Sequence, residues 1–217
     1  MTNRRRLLQR FYSLCALSLV SGWQFLGGMG AAFARTVKRI VEAGTPMSRL
    51  QHEDPAELDT SKLGTTPLSE FDVMGETTHS VDLKSWRLQI AGAVARPAEL
   101  SYEQLLSRPV LERNALLICP GFFAYNGLWK GFSVADLLTE LGADPQATQV
   151  EFSGSEGLRR KKRRYKIAEV LSDQIYIAYG VNGQPLPQRH GYPLRLVAEG
   201  HKGRKWVKYV NRMTVKV

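Results

Sequence analysis

Residues 115–141, ALLICPGFFAYNGLWKGFSVADLLTEL, hold the features that decide the fold. The apolar start of this stretch predicts a strand, and Pro120-Gly121 predicts a turn directly after it. Ser133 suits the N-cap of a helix with apolar residues at helical spacing, and Gly142 suits its end. The stretch therefore predicts a strand, a turn and then a helix, with Cys119 at the turn.

Short strands are predicted on both sides of this stretch and outnumber helices. The fold class expected is α+β, mostly β, and no Gly-rich dinucleotide or P-loop motif is present in the sequence. Asn182-Gly183 after an apolar run predicts a hairpin turn. Further strands are predicted at 86–90, 150–152, 175–181, 194–198 and 206–217, and helices at 35–43, 101–106 and 167–171.

The length of 217 residues, 43% of them hydrophobic, suffices for one sizeable core and a single domain. We expect that domain to span residues 81–217. Residues 35–80 are polar and contain several Gly and Pro residues, which predicts an extended N-terminal arm lying over the domain.

The first 34 residues have the composition of an export signal. Arginines at the start are followed by an apolar run that ends in Ala32-Phe33-Ala34, the small-x-small pattern of a cleavage site. Arg4-Arg5 with Leu7-Leu8 resembles a twin-arginine motif, which predicts export of a folded, cofactor-loaded protein to the periplasm. An ordinary secretory signal and a transmembrane anchor are the alternatives for this segment.

The positive charge is concentrated in few places. The chain carries 30 basic and 20 acidic residues, and seven of the basic ones lie in the stretch 159–166, RRKKRRYK. We expect this stretch to be a basic loop on an otherwise near-neutral domain, which argues against a general nucleic-acid binder. The loop could be a solvated surface, attract an anionic substrate, or dock an acidic redox partner.

Cys119 is the candidate metal ligand. The chain has two cysteines, and Cys15 lies in the predicted signal. A thiolate suits a metal with several redox states, whereas the sequence has neither a second nearby Cys nor a close His pair for zinc. An inert buried cysteine is the alternative that the sequence leaves open.

Four blocks of sequence, in order, resemble the molybdopterin-binding domain of the sulfite oxidase family. The resemblance covers roughly residues 65–217 and is closer to bacterial periplasmic members, which include a methionine sulfoxide reductase, than to the animal enzyme. The blocks are Cys119-Pro120-Gly121 with Trp129-Lys130-Gly131, Asn182-Gly183-Gln184-Pro185-Leu186-Pro187, His190-Gly191-Tyr192-Pro193-Leu194-Arg195, and Gly203 to Lys208.

The resemblance implies a sulfite oxidase-type fold, a molybdenum-molybdopterin cofactor and two-electron oxygen-atom transfer on a small substrate, for which an anion is one candidate. It also implies that Cys119 binds the metal and is catalytic. The residues that it places against the pterin are Phe71, Ser153, Gly154, His190, Arg195, Trp206, Val207 and Lys208.

Redox partners follow from the same resemblance. No C-x-x-C-H haem motif is present in the sequence, so we expect electrons to pass to a separate protein such as a cytochrome. Membrane association is expected only through that partner. The alternative function is a non-catalytic cofactor-binding or interaction subunit of an exported redox complex.

Overall fold

The computed structural model describes residues 37–75, 77–154 and 161–217. Within these ranges the chain forms twelve strands, four short α-helices and three 3-10 helices. The strands are β1 (Arg39–Ile40), β2 (Leu58–Asp59), β3 (Leu88–Gly92), β4 (Ala98–Leu100), β5 (Leu111–Cys119), β6 (Phe123–Phe132), β7 (Gln149–Gly154), β8 (Lys162–Lys166), β9 (Ile175–Val181), β10 (Gln184–Pro185), β11 (Arg195–Ala198) and β12 (Val210–Lys216). The α-helices are α1 (Met47–Leu50), α2 (Tyr102–Leu106), α3 (Val134–Leu141) and α4 (Ile167–Leu171), and the 3-10 helices are Pro55–Glu57, Leu68–Glu70 and Gln188–His190.

Two sheets account for most of these strands. One has the order β4-β3-β12-β7-β8, in which only the β3–β12 pair is parallel. The other has the order β10-β9-β6-β5, with β11 also paired to β9, and is antiparallel throughout. The α+β, mostly β class predicted from the sequence is confirmed.

One hydrophobic core joins both sheets to α3. Leu88 and Phe152 come from the first sheet, Trp129 and Ile177 from the second, and Leu137 from α3, and all five side chains are fully buried. Burying an apolar side chain of this size contributes about 1.5–3 kcal/mol to folding. The core therefore holds the two sheets in a fixed arrangement, and the candidate site is built from the ends of their strands.

The predicted helix after the Cys119 turn is confirmed as α3. The Ser133 hydroxyl accepts a hydrogen bond from the Asp136 backbone N–H at 3.0 Å and so caps the first turn. Gly142 ends the helix in the left-handed region, at φ 68°. The helical turn at 167–171 and the hairpin at Asn182-Gly183 are confirmed as well.

Strand β5 is buried on both faces, because the N-terminal segment covers one of them. Ala115 and Leu117 belong to the main core. Leu116 and Ile118 belong to a second, smaller cluster with side chains from the N-terminal segment: Val41, Leu50, Leu58 and Leu63. Cys119, the next residue, packs against the main core. The position of Cys119 is thus fixed from two sides.

Two local predictions are wrong. The helix expected over 35–43 does not form, since Arg39–Ile40 is β1 and pairs with Leu58–Asp59. The stretch expected to be a basic loop contains β8, which pairs antiparallel with β7. Alternate side chains of β8 face solvent, so a run of cations can be a strand without burying every charge.

The predicted signal, residues 1–34, lies outside the described residues. Among the residues that are described, no helix has the length and apolar character needed to cross a membrane.

Candidate active site

Cys119 ends β5 and pairs with Phe123 across a tight turn. The Phe122 backbone N–H donates to the Cys119 carbonyl at 3.0 Å, and Gly121 adopts φ 76° within the turn. Glycine adopts this left-handed conformation without the steric cost other residues meet. The thiol forms no disulfide and is partly exposed. The turn therefore presents one accessible sulfur on a rigid strand end.

The surroundings of the Cys119 thiol favour its protonated form. Burial raises its pKa, and the nearby Lys161 ammonium opposes this with a smaller effect. A metal ion bound here would favour the thiolate, because metal binding and thiol deprotonation are coupled. No group of three or more His, Cys, Asp or Glu side chains among the described residues is arranged to hold a metal. What Cys119 offers is one soft ligand, suited to a redox metal whose other ligands come from a cofactor.

Stacked aromatic rings connect the Cys119 turn to His190. The Phe123 and Tyr125 rings lie 5.8 Å apart at 8°, and the Tyr125 and Phe71 rings lie 4.0 Å apart at 19°. The His190 ring meets Phe71 edge-on at 5.7 Å and Tyr125 at 6.4 Å. This stack holds the aromatic side chains of the site in place and brings Phe71 of the N-terminal segment into contact with them.

Arg195 is a buried cation held by two indole rings. Its guanidinium carbon lies 5.2 Å from the Trp129 ring centre and 5.4 Å from the Trp206 ring centre. One terminal nitrogen donates to the His190 carbonyl at 2.8 Å, and the side chain also hydrogen-bonds Tyr125. Its Nε is buried and has no partner among the described residues. Arg195 therefore retains an unused donor within a rigid setting.

His190 is a neutral imidazole in this environment. Burial lowers its pKa from 6.5 to about 4, with smaller contributions from Arg195, Arg189 and Lys208. Its Nδ1 is buried and has no partner among the described residues. Since a neutral imidazole has one donor and one acceptor nitrogen, His190 can serve an incoming polar group in either role.

The segment 203–206 lies against the strand that carries Cys119. The Gly203 backbone N–H donates to the Ile118 carbonyl at 2.7 Å. A Cβ at Gly203 would lie 3.2 Å from that carbonyl oxygen, so only glycine fits without displacement. Trp206 is anchored by its backbone N–H to Gly203 and by its indole N–H to the His201 carbonyl, at 3.1 Å each. This segment thereby positions one of the two indoles around Arg195.

Val207, Lys208 and Gly154 form a second packed contact near Arg195. The Val207 carbonyl accepts from Leu196 N–H at 2.8 Å, beside Arg195 on β11. The Lys208 ammonium donates to the Arg189 carbonyl at 3.2 Å. A Cβ on Gly154 would lie 2.6 Å from the Lys208 carbonyl oxygen, so this glycine permits the close approach of the two chains.

The side chains around Cys119 carry a net positive charge. Burial lowers the pKa of Lys161 to about 8, with smaller contributions in the same direction from Arg163, Arg195 and Lys208. The ion pairs among the described residues include none with Lys161, Arg163 or Arg195. A cluster of cations of this kind favours an anionic ligand.

Most of the residues predicted to contact the cofactor fall into two groups in the structure. Phe71, His190, Arg195 and Trp206 meet in the cluster with Tyr125. Val207, Lys208 and Gly154 pack against one another, and Ser153 is buried in β7, where it pairs with Lys162 and Arg212.

Sequence reasoning missed Tyr125 and Lys161. Tyr125 is completely buried, stacks on Phe71 and Phe123, and hydrogen-bonds the Arg195 side chain. Its signal was its position in the aromatic-rich stretch after Cys119. Lys161 was hidden within the run of cations, because composition does not distinguish an inward-facing lysine from its solvated neighbours.

A surface cleft of about 510 Å³ lies between residues 79–87 and β12, and Trp86 and Arg212 are among the residues that line it. None of Cys119, Lys161 and Arg195 lines this cleft. The thiol, the unpartnered nitrogens and the cation cluster converge elsewhere, and we take that convergence as the candidate site.

Comparison with known proteins identifies the family of the chain. A model of the family described as "Oxidoreductase molybdopterin binding domain" matches residues 74–217. The catalytic subunit MsrP of protein-methionine-sulfoxide reductase from Gluconobacter oxydans (strain 621H) is 31% identical over 143 residues, covering 59% of this chain and 46% of MsrP. The uncharacterized oxidoreductase YuiH of Bacillus subtilis (strain 168) is 29% identical over 122 residues, covering 56% of this chain and 60% of YuiH.

A solved structure shares the fold. The sulfane dehydrogenase SoxCD from Paracoccus pantotrophus superposes with a TM-score of 0.61 at 24% identity, covering 70% of this chain and 46% of that chain. The chain spans about half the length of the curated relatives it matches. The match over residues 74–217 confirms the resemblance to the sulfite oxidase type that the Cys119 and Arg195 blocks indicated. The chain belongs to the oxidoreductase molybdopterin-binding domain family.

Proposed function

We propose that this protein is a molybdopterin-dependent oxidoreductase that transfers an oxygen atom to or from a small substrate. The observation that carries the proposal is the partly exposed Cys119 thiol at the edge of a cation cluster. A soft ligand beside an anion-attracting surface matches what a metal–dithiolene cofactor with a phosphate needs from its protein. Membership of the molybdopterin-binding family supports the same assignment.

The residues present fit this cofactor. Arg195 Nε and His190 Nδ1 are buried polar atoms without partners among the described residues, and such atoms are normally satisfied. We assign Cys119 to the metal, Arg195 to the pterin phosphate and His190 to the pterin. Lys208 is assigned to the phosphate. The remaining contacts that we assign to the cofactor are Phe71, Ser153, Gly154, Trp206 and Val207.

The protein's own part in the reaction is to bind and orient the cofactor and the substrate and to provide the electrostatic environment. When bound, the cofactor supplies the two-electron redox change that accompanies oxygen-atom transfer. The β5 strand end holds the Cys119 sulfur, while Trp129 and Trp206 fix the Arg195 guanidinium. Tyr125 stays protonated because burial raises its pKa. Its hydroxyl can therefore remain a hydrogen-bond donor near the site.

Electron exchange is assigned to a separate protein. The sequence contains no haem-attachment motif, and we propose a surface contact with a redox protein such as a cytochrome. We further propose that residues 1–34 direct export to the periplasm by the twin-arginine route. In this arrangement residues 35–80 form the arm and residues 81–217 the cofactor domain.

Metal analysis combined with turnover tests the proposal. Protein purified from a host that makes the cofactor should contain about one molybdenum atom per chain. It should also turn over sulfite, methionine sulfoxide or a similar oxygen-atom acceptor or donor with an artificial electron dye. Folded, cofactor-supplied protein without molybdenum would contradict the proposal. Molybdenum that never cycles would instead support the non-catalytic subunit.

A further inference from the structure

The stretch 161–166 divides its charges between two faces. Lys162, Arg164 and Lys166 are exposed, whereas Lys161 and Arg163 are partly buried and Tyr165 is buried. This is the alternation of a strand edge, in which successive side chains point to opposite sides. Lys161 and Lys162 are therefore neighbours of the same type with opposite orientations.

The three inward-facing side chains bind three consecutive carbonyls of the segment 203–205. Lys161 Nζ donates to the Gly203 carbonyl at 3.5 Å, Arg163 Nε to the Arg204 carbonyl at 2.7 Å, and the Tyr165 hydroxyl to the Lys205 carbonyl at 2.5 Å. These contacts place β8 beside the segment whose Gly203 N–H is bonded to Ile118. Lys161 is thereby placed next to the Cys119 turn.

Lys161 has hydrogen-bonding capacity left over. An ammonium group has three donors, and the hydrogen bond that the Lys161 ammonium makes among the described residues is the long one to Gly203. Gly203 in turn donates its N–H to the carbonyl of Ile118, the residue before Cys119, at 2.7 Å, so the ammonium is two hydrogen bonds away from that strand end. Arg163, Arg195 and Lys208 oppose the charge on Lys161, and an incoming anion would relieve that repulsion.

We propose that Lys161 is the substrate-side cation of this site and that it selects anionic substrates, the oxyanions, over neutral ones. The inference deepens the proposed function and rests on it. Arg195 is buried among indoles and suits a permanently bound cofactor. Lys161 is partly exposed and is linked through Gly203 to the strand that ends in Cys119, which suits a ligand that enters and leaves.

Calorimetric titration of the molybdenum-loaded protein with sulfate, a non-reacting oxyanion, tests this assignment. Lys161→Met should weaken sulfate binding roughly 10-fold or more, because a charge-assisted hydrogen bond is lost. Lys162→Met, the matched control on the outer face, should change the dissociation constant by less than about twofold, as exposed charges are screened. Lys161→Arg should restore most of the affinity.

Steady-state kinetics and metal content complete the test. In Lys161→Met, KM for sulfite should rise with little change in kcat, while KM for neutral dimethyl sulfoxide stays unchanged. Equal sulfate binding by the wild type and Lys161→Met would overturn the proposal. Loss of molybdenum from folded Lys161→Met would also overturn it, because Lys161 would then be a cofactor anchor. Absence of turnover in every variant would contradict the proposed function, while the sulfate titration would still decide whether Lys161 holds an anion.

Discussion

Replacing His190 with Gln should remove a large part of the acid sensitivity of the fold. His190 is 1% exposed, and burial lowers its pKa from 6.5 to about 4. The unfolded chain therefore takes up a proton on this residue as the pH falls through about 6.5, whereas the folded chain does so only near pH 4. Stability linked to His190 is fully present above pH 6.5 and is lost as the pH falls toward 4.

The size of this effect follows from the two pKa values. One pKa unit corresponds to about 1.4 kcal/mol, so the complete loss amounts to about 3 kcal/mol below pH 4. Between about pH 7.5 and pH 5 the expected loss is about 2 kcal/mol. Other buried groups titrate in both proteins, so the difference between wild type and His190→Gln isolates this residue.

Urea unfolding of the cofactor-free protein at pH 7.5 and pH 5 measures this pH-dependent loss of stability. The wild type should lose about 2 kcal/mol more unfolding free energy than His190→Gln on going from pH 7.5 to pH 5. His52→Gln, which removes an exposed imidazole, is the control and should follow the wild type. Equal losses in wild type and His190→Gln would refute the reasoning, since His190 would then not be held neutral by its surroundings.

Three further stability changes follow from the packing around the site, and urea unfolding measures each. Gly131→Ala should cost about 3 kcal/mol or more, because its Cβ would lie 1.8 Å from the Ile177 carbonyl oxygen. Gly64→Ala has open space and should change stability by less than about 1 kcal/mol, so equal costs at the two glycines would contradict the packing argument. Leu137→Ala should cost about 2–5 kcal/mol as a buried α3 residue, and a cost below 1 kcal/mol would count against its place in the core. Ser133→Ala should cost about 1 kcal/mol through loss of the α3 cap, and an unchanged midpoint would contradict the capping role.

The elements with a local signal were predictable from the sequence. Helix α3 has both its cap residue and its stop residue in the chain, and β9 is a continuous apolar run. Strand β6 was not foreseen, because Asn126 and Gly127 interrupt its apolar pattern as a turn would. In the fold, the Asn126 amide donates to the carbonyls of Leu63 and Gly64, which lie some sixty residues earlier. Such distant partners leave no mark on local sequence.

The loop predicted in place of strand β8 was wrong for a related reason. A run of cations predicts a solvated loop when each residue is judged alone. The run is a strand because the carbonyls of residues 203–205 accept hydrogen bonds from Lys161, Arg163 and Tyr165. The Glu151 carboxylate on β7 neutralises Arg164 on the outer face. Tertiary partners here override composition.

The candidate site divides in the same way. Cys119, His190 and Arg195 lie in blocks that the family resemblance identifies, so they could be named from the sequence. Tyr125 and Lys161 reach the site through strand pairing and side-chain orientation. Only the three-dimensional arrangement shows that Tyr125 and Lys161 belong to the candidate site.

The most direct test of the central claim is the visible absorption and molybdenum content of Cys119→Ser beside the wild type. A serine hydroxyl is rarely ionised at neutral pH and is a poor ligand for a soft redox metal. The account predicts that the wild type shows a molybdenum–thiolate absorption band and that Cys119→Ser loses the band and turnover while keeping its fold by circular dichroism. A folded Cys119→Ser protein with an unchanged spectrum and activity would contradict the account.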